Sequence, residues 1–184
     1  MAAWVKDRLG ERLRPWVWGG AACLLLAPAL AMWRGADGVH WTAGDFLAMG
    51  LLLAAAGGLY ELGLRLDRRL AYRAAFWLAA LTGVLTVWVN LAVGMLGDSG
   101  HPANAMFIGV LGIALVGAAG ARGRAGGMAK VMLAAGVAQL LATLAGVLLG
   151  FRALEIALTG AFALPWLLAA VLFQTAGRVD VADP

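Results

Sequence analysis

The chain has 184 residues, of which 63% are apolar and 13% charged, with a net charge of +4. Soluble globular domains hold roughly 45–50% apolar and about 25% charged residues, so composition excludes a soluble fold. Six membrane spans of about 20 residues each use nearly the whole length and leave no room for a separate soluble domain of ~50 residues or more.

The first apolar stretch runs over 16–33, introduced by Pro15, whose missing N–H suits a first helical position. Basic residues before it and Ala29-Leu30-Ala31 within it share features with a secretory signal. The mixture of acids and bases ahead of it, with Trp16, Trp18 and Trp33 at its two ends as interface anchors, predicts a retained span instead. Cys23, the one cysteine, lies inside this stretch and is expected to be a small core residue.

Further spans are predicted over 43–64, 71–96, 103–121, 128–150 and 155–176. Each reaches across ~30 Å of hydrocarbon at 1.5 Å per residue, and each must be helical because an open strand leaves its backbone unsatisfied in lipid. The expected fold is an all-α integral membrane bundle of six transmembrane helices, a single domain over 1–184. Pro28 and Pro165 lie inside their spans and predict kinks at Leu24 and Ala161, since each removes a backbone hydrogen bond and crowds the carbonyl four residues earlier.

Charge fixes the threading. Lys6, Arg8, Arg12 and Arg14 precede the first span, Arg65, Arg68, Arg69 and Arg73 separate the second from the third, and Arg122, Arg124 and Lys130 separate the fourth from the fifth. With Arg178 near the C-terminal end these make twelve, against Arg34 and Arg152 alone in the other connections. A twelve-to-two split is a positive-inside signal, and it places both termini in the cytoplasm of a cytoplasmic (inner) membrane. Basic residues beside apolar spans are matched by anionic headgroups, so the lipid bilayer is the expected partner and no nucleic acid is. The tight connection at 151–153 is the least secure boundary, because the fifth and sixth stretches could form a hairpin that reaches only partway across.

Small residues recur every four positions at Ala134, Ala138, Ala142, Gly146 and Gly150, and again at Ala153, Ala157, Ala161, Pro165 and Ala169. Without a hydrophobic drive between helices in lipid, such seams allow close backbone approach. They predict a tight fifth-to-sixth hairpin, with Gly50, Ala54 and Gly58 of the second helix against another neighbour or an oligomer partner.

The outward ends gather Asp37, His40, Asp45, Asn90, Asp98, His101, Asn104 and Glu155. Together these could accept protons or bind a cation. Each also has a local reading. Thr42-Ala43-Gly44-Asp45 matches a capping box, Glu155 suits the first turn of its helix, and GDSGHPAN is a turn that would start the fourth helix. Asn90 lies about six residues, or ~9 Å, beneath the predicted outer end of the third helix and must face protein or water. Gln139 and Thr143 form a short polar column in the fifth, as interhelical glue or part of a path. Glu61 is placed to pair with Arg65 one turn on, or to relay protons. His40 and His101 are weak metal candidates without ligand spacing, and no nucleophile elbow, phosphate loop, HExxH or CxxC motif is present.

The runs WTAGDF at 41–46, LYEL at 59–62, AYRAAFW at 71–77 and VWVNLAVGMLGDSGHPAN at 87–104 resemble a set of small bacterial multi-pass membrane proteins to which no activity is assigned. The resemblance covers about 41–132 and implies a bacterial membrane protein without implying a reaction. Three functions stay open. The first is a small-molecule or ion transporter whose cavity opens outward between the second, third and sixth helices, lined by Asp45, Asn90 and Glu155, with Glu61 as an inner gate. The second is an accessory or assembly subunit of a larger membrane complex. The third is an intramembrane enzyme, or a carrier of haem or metal through His40 or His101.

Overall fold

The computed structural model describes residues 2–67 and 69–182, with side chains for 12–67 and 69–178. Of the basic residues counted above, Arg68 and the side chains of Lys6 and Arg8 lie outside the described residues. The described chain forms α1 (Ala2–Trp33), α2 (Ala43–Leu66), α3 (Leu70–Ala92), a 3-10 turn (Pro102–Asn104), α4 (Ala105–Ala121), α5 (Ala125–Leu148), α6 (Ala153–Ala161) and α7 (Ala163–Ala182). Six helical stretches are long and apolar enough to cross a membrane, the sixth running over Ala153–Arg178. Their outward side chains suit lipid: Leu24, Leu51, Val116, Leu148 and Leu164 are all exposed.

The chain separates into two compact units, 1–65 and 66–184. In the first, α1 begins far ahead of the expected boundary, so Pro15 lies within the helix and not at its first position. The helix also runs unbroken through Leu24 despite Pro28. Cys23 is exposed, contrary to its expected core position. Gly35, at φ 69°, closes α1 in a Schellman motif, with Ala36 N donating to Ala31 O at 3.0 Å and Gly35 N to Met32 O at 3.0 Å. On α2, Gly57 gives Trp18 of α1 room to lie against the backbone, since a Cβ there would stand 2.7 Å from the indole Cη2.

The second unit holds the larger core. Here α7 packs against both α3 and α5, and α4 packs against α5. Buried positions include Tyr72, Phe76 and Ala79 of α3, Phe107 and Val110 of α4, Met128, Met132 and Ala135 of α5, and Trp166, Ala169 and Phe173 of α7. Glycine sets the helix spacing: a Cβ on Gly136 would meet Leu167 Cδ2 at 2.7 Å, and one on Gly117 would meet Val131 Cγ1 at 2.6 Å.

This packing shifts the expected seams. On α5, Ala142 and Gly146 are buried but Ala134 faces outward, and the contact face is completed by Ala135, Gly136 and Gln139. On the sixth span Ala153, Ala157 and Ala161 are exposed, and α5 packs chiefly on α7 beyond the break. A four-residue repeat drifts around a 3.6-residue helix, so no single face can use all its members.

Pro165 does what its position predicts. α6 ends at Ala161, Phe162 turns, and α7 restarts at Ala163 with Pro165 in its first turn, where a missing N–H leaves nothing unsatisfied. The third span ends earlier than predicted, at Ala92 instead of 96. Gly94, at φ 82°, turns the chain, and residues beyond it form a loop although Met95 and Leu96 are apolar.

Candidate functional site

The loop from α3 to α4 folds back into the protein. Met95 is 5% exposed and Leu96 fully buried, joining Phe107 and Ala142 in a hydrophobic cluster with Phe151 and Phe162 packed against it. Leu96 lies over Gly146, where a Cβ would approach its Cδ2 to 3.0 Å. Burying irregular backbone leaves N–H and C=O groups that must find partners, and the polar residues around the loop supply them.

Asn104, in the 3-10 turn, is the principal clamp. Its Oδ1 accepts from Met95 N at 2.9 Å and Leu96 N at 3.0 Å, and its Nδ2 donates to Asp98 O at 2.7 Å. Gly94 makes the approach possible, because a Cβ there would sit 2.5 Å from Asp98 O and 2.9 Å from Asn104 Nδ2. From α6, Glu155 Oε2 accepts from Gly97 N at 3.1 Å, and the Thr159 hydroxyl donates to Met95 O at 2.9 Å. Asp98 Oδ1 accepts from Gly100 N at 3.0 Å, and His101 Nδ1 from Ala103 N at 3.2 Å. The imidazole stands edge-on to Phe151, with ring centroids 5.0 Å apart.

Beneath the loop the polarity continues inward. Gln139, fully buried on α5, donates from Nε2 to Thr159 O at 2.9 Å. That carbonyl also accepts from Phe162 N at the break of the sixth span. Thr159 thus ties three elements together, its hydroxyl holding the loop and its carbonyl holding α5. Gln139 Oε1 and the indole Nε1 of Trp166, which is 2% exposed, are buried without a hydrogen-bond partner. Thr143 donates to Gln139 O within α5, and Thr82 and Thr86 donate to carbonyls one turn back within α3.

The residues singled out from the sequence therefore divide. Asp98, His101 and Glu155 meet at the folded loop, and Gln139 lies on the same hydrogen-bonded path through Thr159. Asn90 sits in the last turn of α3, because the helix ends at Ala92, and not six residues down as expected; its Oδ1 is buried and unpartnered. Asp45 belongs to the first unit and forms the capping box read from the sequence: its Oδ2 accepts from Thr42 N at 2.7 Å and Thr42 Oγ1 at 2.8 Å, while Asp45 N donates to Thr42 Oγ1 at 3.3 Å.

Glu61 departs from expectation. Its ion pair is with Arg14 of α1 at 2.6 Å, and not with Arg65 of its own helix. His40 and Asp37 are exposed in the α1 to α2 connection. Among the described residues no three His, Cys, Asp or Glu side chains converge as a metal site.

Thr159 and Trp166 escaped the sequence reading. The pertinent signal was TGAFALPW at 159–166. Pro165 marks an interruption in the span, and Thr159 is the hydroxyl-bearing residue just ahead of it, with Met95 O as its acceptor.

The chemistry on offer is neutral and hydrogen-bonding inside, acidic at the surface of the loop. No family model matches the chain, and comparison with curated proteins and with solved structures finds no match.

Proposed function

We propose that the protein binds a small polar molecule within a bacterial inner membrane and carries it across, with both termini on the cytoplasmic side. The observation that carries this reading is the fully buried Gln139 amide, whose Oε1 has no partner although its Nε2 is bonded at the break of the sixth span. A buried acceptor without a partner costs about 1–3 kcal/mol. Transporters commonly place their substrate sites at interrupted membrane helices, and the Gln139 amide lies at such an interruption, bonded to Thr159 O three residues before the turn at Phe162. Gln139 and Trp166 are the proposed contacts, with Asn90, Asp98, His101 and Glu155 at the outer approach.

The interior groups are uncharged, which favours a neutral solute over an ion. The test is stopped-flow light scattering on proteoliposomes shocked with urea, glycerol or glycine. Permeation of at least one solute about tenfold above empty liposomes is expected, corresponding to ~1.4 kcal/mol, and Gln139→Leu of unchanged thermal midpoint should abolish the increment. Equal rates with and without protein for all three would overturn the reading.

A second reading, an accessory subunit or homo-oligomer, is favoured by a specific feature of α2. Within the first unit Ala54 and Gly58 are exposed and nothing lies within 4 Å of a Cβ built on Gly58, and small residues along one helix face suit the close approach of another helix. Recovery of the protein only in a stoichiometric complex after gentle solubilisation would support this reading over transport by the chain alone.

A further inference from the structure

At the opposite, arginine-rich end of the second unit lies an open depression of about 600 Å³. Four cations line it: Arg69, Arg124, Lys130 and Arg178. Among the described residues no carboxylate lines it, and Arg124, Lys130 and Arg178 have no ion pair. Arg69 is held in place, its guanidinium gripping Asp67 at 2.6 Å and donating to Ala176 O at 2.7 Å.

We propose that this depression binds a phosphate-bearing anion. Three exposed cations, without an ion pair among the described residues, stand around one concavity and repel one another, and an anion seated among them relieves that repulsion. The floor adds the positive end of a helix. α5 starts at Ala125, its N-cap Arg124 makes no side-chain cap, and no acid occupies its first turn, so the positive end of the helix at the depression is not neutralised by its own side chains. Gly126 lines the depression and is exposed, and nothing lies within 4 Å of a Cβ built there. Arginine forks match the paired oxygens of phosphate.

The ligand is an anionic phospholipid headgroup or a soluble phosphate compound, and both present the same group. The location favours a headgroup, because basic pockets at the ends of membrane helices meet the phosphate layer of the bilayer. The inference is independent of the transport proposal and involves none of its residues.

Native mass spectrometry of the full chain in neutral detergent tests it, with phosphatidylglycerol and phosphatidylcholine of identical acyl chains as probes and inorganic phosphate as competitor. Retention of phosphatidylglycerol about tenfold over phosphatidylcholine is expected, given the attraction of each basic residue for anionic lipid. R124Q/K130Q/R178Q should reduce the preference to near unity. Displacement of the lipid by millimolar phosphate, or binding of phosphate in its place, assigns the site to soluble phosphates; retention despite phosphate assigns it to the headgroup.

Should the triple variant fail to fold, Gly126→Val supplies the second arm. It keeps every charge while narrowing the depression, and is expected to lower retention several-fold at an unchanged melting point. Equal retention of the two lipids with no phosphate binding, or a wild-type preference in folded variants of both kinds, overturns the proposal.

Discussion

Asn104 illustrates how one side chain can decide a local fold. Replacing it with alanine leaves the amides of Met95 and Leu96, both buried, without the acceptor at 2.9 and 3.0 Å that satisfies them. Each unsatisfied buried donor costs about 1–3 kcal/mol, so Asn104→Ala is expected to destabilise the protein by about 2–4 kcal/mol, read as a lowered unfolding midpoint in detergent. Wild-type stability in that variant would show that the folded loop does not depend on the clamp. Asp45→Ala in the exposed capping box should be the milder change in the same assay. The capping box was legible in the sequence because its donors and acceptors are three residues apart. Asn104 was visible as a polar residue at an outward end, but its partners were not, since they are set by a chain reversal at Gly94. Glu61 shows the same limit: spacing along α2 offers Arg65, whereas the packing of α1 brings Arg14 to 2.6 Å.

Among the elements, α4 and α5 owe their close approach to Gly117. A Cβ there would meet Val131 at Cγ1, Cγ2 and Cβ, at 2.6, 2.8 and 3.3 Å, and a β-branched side chain has no free rotamer with which to retreat. Gly117→Ala is expected to destabilise by about 1–3 kcal/mol through overpacking. Gly109→Ala on the same helix, with nothing within 4 Å of its Cβ, should be neutral or slightly stabilising, because alanine is the better helix former. Thermal unfolding of the two variants side by side checks the assignment, and equal midpoints would contradict it. The four-residue seams read from sequence identified the right helices but only part of the contact face. Small residues permit close packing on any side, and the neighbour chooses which. The break in the sixth span was better determined, because the missing N–H of Pro165 acts on its own helix.

For the molecule as a whole, the sorted arginines specify a threading that labelling can test. In a Cys23→Ser background, Ala36→Cys in the α1 to α2 connection should react with a membrane-impermeant maleimide added to intact cells. Arg122→Cys in the α4 to α5 connection should react only after permeabilisation. The reverse pattern would invert the proposed orientation and with it the assignment of the folded loop to the outer face. Length, composition and the alternation of charge settle by themselves that the chain is helical and carries six stretches able to span a membrane, since lipid supplies no partner for an unpaired backbone. Local signals add the capping box of Asp45, the turn at GDSGHPAN and the interruption at Pro165. Tertiary structure alone decided that Met95 and Leu96 turn inward, that Glu155, Thr159 and Asn104 hold them there, that Gln139 reaches the broken helix, and that four cations converge on one depression. The physical reason is common to all four: each depends on groups distant in sequence, and the apolar patterning that assigns a residue to lipid says nothing about which neighbour replaces it.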